Sequence, residues 1–98
     1  MWIYPGEMSR WAYEECKKDD DSEIRSLITA PNWVYHYCNT IKDRPEMIKL
    51  ITDPYWAYMY CLNVKDRPEM RKQVTNSKWL HMYCLYVNKD IPECKGSY

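Results

Sequence analysis

Tryptophan and cysteine recur together along the chain at nearly constant intervals. Successive tryptophans are 22, 23 and 23 residues apart, and a cysteine follows each of them by five residues. The paired residues are Trp11 and Cys16, Trp33 and Cys38, Trp56 and Cys61, and Trp79 and Cys84. Because two residue types share one period, we predict a single domain, 1–98, of four repeats of about 23 residues, at about 9–28, 29–51, 52–74 and 75–95.

Each repeat begins with a segment whose apolar residues follow the period of an α-helix. In the third repeat, Asp53 is predicted to cap this helix and Pro54 to open it, since a first helical residue needs no N–H donor. At about 100° per residue, the apolar positions of the segment form one continuous arc. Its members are Trp56, Ala57, Tyr60, Cys61 and Val64. The tryptophan of each repeat is therefore predicted to face the core.

A second, shorter helix is predicted after each long one. Its start is indicated by the pattern Asp-x-x-Glu, in which the aspartate caps the helix and the glutamate bonds back to the cap. The pairs are Asp20 and Glu23, Asp43 and Glu46, Asp66 and Glu69, and Asp90 and Glu93. Apolar pairs four residues apart indicate about two turns: Ile24 and Ile28, Met47 and Ile51, Met70 and Val74. The predicted fold class is all-α, a short α-solenoid of helix-turn-helix repeats.

Composition narrows the possible partners and locations. Fourteen basic and fourteen acidic residues cancel, which disfavours nucleic-acid and anionic-membrane binding. No run of 18 apolar residues occurs, and the first residues lack a signal-peptide pattern, so we expect a cytoplasmic protein.

Five cysteines, four of them at one repeat position, are predicted to be reduced. Ten tyrosines and five tryptophans without a phenylalanine favour contact surfaces where ring polar atoms stay hydrated.

The third repeat resembles a known sequence pattern. Trp56-Ala57-Tyr58-Met59-Tyr60-Cys61, followed by Arg67-Pro68-Glu69, is similar to the tandem W-A-Y-x-Y-A … R-x-P-E helical repeats of uncharacterised phage and bacterial proteins. The resemblance extends over residues 9–94, with cysteine in place of alanine and Lys-Asp in place of a glycine-containing turn. It implies a helical-repeat fold and a phage origin, with the host cytoplasm as location, and it implies no enzymatic activity.

Several residues could carry chemistry, and each also has a structural interpretation. His81 with Cys84, and His36 near Cys38, could bind a metal or form a nucleophile pair, but no second ligand pair and no glycine-rich turn accompanies them. Helix capping accounts for the repeated carboxylates. We therefore predict no enzyme, no metal, no cofactor and no small-molecule substrate.

A nucleic-acid interface is the first alternative. It would use basic residues of the turns between helices together with neighbouring tyrosines that stack on bases. These residues are Lys42, Arg44, Lys65, Arg67, Tyr35 and Tyr58. Acidic neighbours reduce the positive field of these turns. The second alternative is a structural or scaffold subunit.

The repeats differ most on the face of the long helix opposite the predicted arc. This face is polar in the first repeat and almost entirely apolar in the fourth, which favours a partner surface unless a chain end covers it. The predicted binding residues are Tyr58, Met59, Leu62, His81, Met82, Leu85 and Tyr86. The predicted function is a non-enzymatic module that binds a protein partner or self-associates through its C-terminal repeats, as a phage-type inhibitor of a host defence protein would.

Overall fold

The computed structural model describes residues 5–95, in which long helices alternate with short ones. The long helices are α1 (Pro5–Lys18), α3 (Pro31–Thr40), α5 (Pro54–Asn63) and α7 (Ser77–Tyr86). The short helices have four residues each and are α2 (Ser22–Arg25), α4 (Pro45–Ile48), α6 (Pro68–Arg71) and α8 (Pro92–Lys95). No residue in 5–95 belongs to a β-strand, so the predicted all-α class is confirmed.

The helices belong to two compact units, one that ends at Ile51 and one that begins at Thr52. In the first unit, α1 packs against α2 and α3, and α3 packs against α4. In the second, α5 packs against α6 and α7, and α7 packs against α8. Each unit thus contains two pairs of a long and a short helix.

Local sequence signals explain where the long helices begin. Asp53 caps α5 by accepting a hydrogen bond from the backbone N–H of Tyr55 at 2.8 Å, and Pro54 is the first helical residue, as predicted. Asn76 caps α7 in the same way, accepting from the N–H of Lys78 at 2.9 Å. These caps satisfy N–H groups that have no partner within the helix.

The prediction for the starts of the short helices is wrong. Asp21, not Asp20, caps α2. Its carboxylate accepts hydrogen bonds from the backbone N–H groups of Glu23 and Ile24. Arg44 and Arg67 occupy the capping positions of α4 and α6 without a capping side-chain bond. Asp90 lies two residues before α8 begins at Pro92. The short helices are also one turn long instead of two. The second residue of each apolar pair, Ile28, Ile51 or Val74, lies in the loop after the helix.

The buried side of the long helices is rotated by roughly 50° from the predicted arc, at about 100° per residue. Positions 1, 2, 4 and 5 after the tryptophan are buried in α3 and α5, whereas Trp11 is 51% exposed and the later tryptophans are half-buried. Trp33 and Trp79 pack instead beside a tyrosine of the preceding long helix in their unit. The ring centroids of Tyr13 and Trp33 are 5.3 Å apart, and those of Tyr58 and Trp79 are 5.7 Å apart. The prediction that the tryptophans form the core is therefore wrong.

Candidate protein-interaction surface

The seven predicted binding residues differ in their exposure. Leu62, Leu85 and Tyr86 have relative exposures of 39%, 59% and 61%, and His81 is also exposed. Met59 and Met82 are half-buried. Tyr58 is only 5% exposed, so its predicted place on the outer face is wrong.

Tyr58 is buried because the next long helix covers it. Its ring stacks on the indole of Trp79 with an interplanar angle of 25°. Burial raises the pKa of Tyr58, and the nearby hydroxyls of Tyr86 and Tyr55 add to this effect. His81 holds the same repeat position in α7, and no long helix follows α7 within residues 5–95, which explains why this position is exposed there.

We use the name C-terminal face for Leu62, His81, Leu85 and Tyr86. Leu85 and Tyr86 hold the sixth and seventh positions after the tryptophan of their repeat. The same positions are occupied by Lys17 and Lys18 in α1 and by Asn39 and Thr40 in α3, and all four of these residues are exposed. The fold therefore accepts polar side chains at both positions. Leucine and tyrosine are not required there for packing.

A partly buried clamp of Tyr83, Asp66 and Arg71 fixes α7, the helix that carries three of the four residues of the C-terminal face. The Tyr83 hydroxyl donates to Asp66 at 2.6 Å and accepts from Nε of Arg71 at 2.9 Å. Arg71 also lies 3.6 Å from the second oxygen of Asp66. Burial, followed by the bond to Asp66, raises the pKa of Tyr83, so the hydroxyl stays a donor at neutral pH. The face is thus carried by a helix whose position is fixed by charge-assisted hydrogen bonds.

The first unit contains a related clamp, in which the arginine that bonds the tyrosine hydroxyl comes from a different repeat position. The Tyr37 hydroxyl donates to Asp20 at 2.6 Å and accepts from Nε of Arg44 at 2.7 Å, and Arg44 and Arg25 each contact Asp20 at 3.0 and 3.1 Å. Burial raises the pKa of Asp20, but the bonds from Tyr37, Arg44 and Arg25 outweigh this and lower it to about 2. Asp20 and Asp66, predicted as helix caps, instead bind a tyrosine 17 residues later.

The end of α7 is covalently linked to α8. Cys84 and Cys94 form a disulfide with a Cα–Cα distance of 5.7 Å, so the prediction that every cysteine is reduced is wrong for this pair. Cys16, Cys38 and Cys61 are buried and lie outside any disulfide, as predicted. The signal for the pair was present in the repeat register, because Cys94 holds the place of Met47 and Met70, two residues after the proline that opens each short helix.

An open cavity of about 380 Å³ lies beside the disulfide. Its lining begins with Cys84, Leu85 and Tyr86 and continues through the turn at 87–90. Lys89 and Asp90 are exposed and give this turn one charge of each sign. Sequence analysis treated Asp90 as a helix cap and did not predict this cavity.

The metal and nucleophile alternatives gain no geometric support. Among residues 5–95, no group of three or more His, Cys, Asp and Glu side chains is arranged to hold a metal ion. The sulfur of Cys84, which would pair with His81, is bonded to Cys94. His36 packs against the rings of Trp33 and Tyr13, and burial lowers its pKa.

The nucleic-acid alternative loses the residues on which it depends. Tyr35 and Tyr58, proposed to stack on bases, are both buried. Arg44 and Arg67 donate from Nε to the hydroxyls of Tyr37 and Tyr60, each at 2.7 Å. Lys42 and Lys65 remain exposed. Two separate lysines provide less charge than phosphate binding ordinarily uses.

Comparison with known proteins adds no relative. No family model, no curated protein and no solved structure matches the chain. Across the described part of the chain, every helix is too short or too polar to cross a membrane.

Proposed function

We propose that the chain is a non-enzymatic protein-binding module, a short α-solenoid that binds a protein partner through the C-terminal face. The same contact between a tryptophan and a tyrosine of the preceding long helix joins α1 to α3 and α5 to α7, which supports the solenoid.

The exposure of Leu85 and Tyr86 carries the proposal. These two large side chains are 59% and 61% exposed on consecutive residues of a clamped helix. Soluble proteins tolerate scattered apolar side chains, but adjacent ones beside a cavity are typical of a contact surface. Tyrosine is also a frequent anchor residue in protein interfaces, because its large ring loses little conformational entropy on binding.

The mode of action follows from binding through an exposed face. A small module of this kind acts by covering part of its partner's surface, and a second copy of the chain is the alternative partner. Inhibition of a phage host's defence protein stays a prediction, and it depends on the resemblance to phage repeats alone.

The test uses polar residues that the fold already accepts at these positions. The double variant Leu85→Asn with Tyr86→Thr gives α7 the residues found at the same positions of α3. We expect tagged wild-type protein to retain a partner that the double variant does not, with a loss of affinity of at least about tenfold. Light scattering on both proteins separates a second copy from a different partner, because only self-association changes the mass of the purified chain.

The matched control changes the corresponding positions of α3, where both residues are polar. The variant Asn39→Ala with Thr40→Ala should retain the partner as the wild type does. Equal retention by the Leu85→Asn, Tyr86→Thr variant, or loss of the partner in the control, would show that the C-terminal face is not the binding surface.

A further inference from the structure

The last short helix is attached to the rest of the chain differently from the others. Helix α8 has four residues, and a single turn is not stable by itself in water. The disulfide joins its Cys94 to Cys84 of α7. Elsewhere among the described residues, the short helices are held by noncovalent contacts.

Methionine holds the short helices α4 and α6. Met47 and Met70 occupy the third position of these helices, and both side chains are buried. Cys94 occupies this position in α8 and is buried as well. A reduced cysteine fills less volume than methionine and makes fewer apolar contacts. Without its covalent bond, Cys94 would hold α8 less firmly than methionine holds α4 and α6.

The arginine contact of the interior repeats is also missing at this end. Arg44 and Arg67, which directly precede the prolines of α4 and α6, each bond to a tyrosine hydroxyl at 2.7 Å. Ile91 precedes Pro92 in the last repeat, and an isoleucine side chain has no donor for such a bond. Ile91 is buried and contributes apolar contact only. The disulfide thus takes the place of two contacts, the buried methionine and the hydrogen bond from arginine to tyrosine.

The other cysteines at the repeat position lack the features of a redox site. Cys16, Cys38 and Cys61 are all buried, and burial raises the pKa of the Cys16 thiol and that of Cys61, the latter to about 12. A buried thiol with a raised pKa forms little thiolate at neutral pH and reacts slowly with oxidants. Sensitivity to oxidation and reduction is therefore concentrated in the last repeat.

We propose that the Cys84–Cys94 disulfide is a redox lock on α8. A dithiol reductant breaks the bond between the two sulfurs, gives them two electrons and two protons, and forms its own disulfide. In the oxidised protein α8 is held on α7. In the reduced protein α8 separates from α7 and the turn at 87–90 loses its fixed shape, because neither methionine nor arginine replaces the bond.

The lock also controls binding, and this part rests on the proposed function. Leu85 and Tyr86 line the same cavity as the turn whose ends the disulfide holds together. Loss of the turn's shape removes one side of that cavity. A partner bound at the C-terminal face should therefore prefer the oxidised protein.

Hydrogen exchange followed by mass spectrometry tests the lock without any partner. The reporter is the amide of Cys94, which donates to the carbonyl of Ile91 at 3.0 Å. After reduction with dithiothreitol, we expect exchange of the C-terminal peptide to accelerate by a factor on the order of tenfold to a hundredfold, from the chain entropy of a loop of about ten residues. Exchange in α5 should stay unchanged.

Two variants separate the covalent bond from packing. Cys94→Ser should exchange rapidly with or without reductant. Cys94→Met restores the interior pair of cysteine and methionine, so its α8 should exchange more slowly than that of Cys94→Ser and should not respond to dithiothreitol. If wild-type α8 exchanges equally in the oxidised and reduced protein, the proposal of a lock is overturned.

Binding measurements distinguish the lock from the proposed function. Affinity at least about tenfold higher for the oxidised protein supports the coupling, and equal affinities overturn the coupling while the exchange result still decides the lock. If Leu85→Asn with Tyr86→Thr binds as the wild type does, the proposed function fails and the exchange result is unaffected.

Discussion

Replacing Tyr37 by phenylalanine should destabilise the first unit, although the ring itself is retained. Tyr37 is fully buried, and its hydroxyl donates to Asp20 at 2.6 Å and accepts from Arg44 at 2.7 Å. The substitution removes both bonds and leaves the two charged partners in contact with each other at 3.0 Å. A hydrogen bond to a charged group contributes about 1.5–3 kcal/mol. Because Asp20 keeps its bonds to both arginines, we expect a total loss of about 1.5–3 kcal/mol.

Acid titration gives this prediction a specific signature. The pKa of Asp20 is about 2 in the folded protein and 3.8 ordinarily, a difference that corresponds to at most about 2.5 kcal/mol. The Asp20 side chain is 24% exposed, so solvent screening reduces this to roughly 1–2 kcal/mol. Since the folded pKa is the lower one, this stability is complete above about pH 4 and disappears as the pH falls towards 2. In Tyr37→Phe the loss over this range should be smaller.

Urea unfolding of the wild type and Tyr37→Phe at pH 7, 4 and 2.5 measures the difference in their free energies of unfolding. The comparison requires that the free energy of unfolding falls with urea concentration at the same slope in both proteins. Tyr13→Phe is the matched control. Tyr13 is buried against Trp33, and no hydrogen bond of its hydroxyl is present within residues 5–95. We expect this control to change stability by less than about 0.5 kcal/mol. The clamp would be refuted if Tyr37→Phe were as mild as Tyr13→Phe.

Three further predictions use denaturation and thiol chemistry. Met70→Ala should cost about 2–4 kcal/mol in urea unfolding, because it leaves a cavity under α6, and a loss below about 1 kcal/mol would contradict the packing. Leu85→Asn with Tyr86→Thr removes side chains that are 59% and 61% exposed, so it should cost no more than about 2 kcal/mol, and a larger loss would mean that these side chains are part of the core. Cys61, whose pKa burial raises to about 12, should react with a chromogenic disulfide at pH 8 only after unfolding, and rapid reaction of the folded protein would contradict its burial.

The helices were predictable because their signals are local. The shared register of Trp56 and Cys61 and the Asp53-Pro54 start determine α5 from residues close together in the sequence. The repeat period then extended the prediction to the other long helices. Such signals indicate where a helix begins but not which neighbour it will contact.

Two of the errors concern contacts between repeats. Asp20 resembles a helix cap locally, yet its partner is Tyr37 in the next repeat. The helical period also places Trp56 and Tyr60 on one arc, but the buried side depends on the adjacent long helix, and Tyr58 is covered by Trp79. Polar aromatic rings suit both core and surface, so their periodicity alone could not fix this rotation.

The exposure of the candidate surface was predicted more accurately where the repeats differ. Leu85 and Tyr86 were predicted because polar residues occupy their positions in α1 and α3, and their exposure follows from the same comparison. The disulfide was not predicted, since the repeated cysteines suggested small packed thiols. Aligning Cys94 with Met70 would have placed a second sulfur next to Cys84.

Site-specific photo-crosslinking tests binding through the C-terminal face most directly. A photoreactive amino acid replaces Tyr86 in one protein and Thr40, at the same position of α3, in another. The account predicts a covalent adduct with the partner from position 86 and none from position 40, with an adduct of twice the chain mass if the partner is a second copy. Adducts from both positions, or from neither, would contradict it.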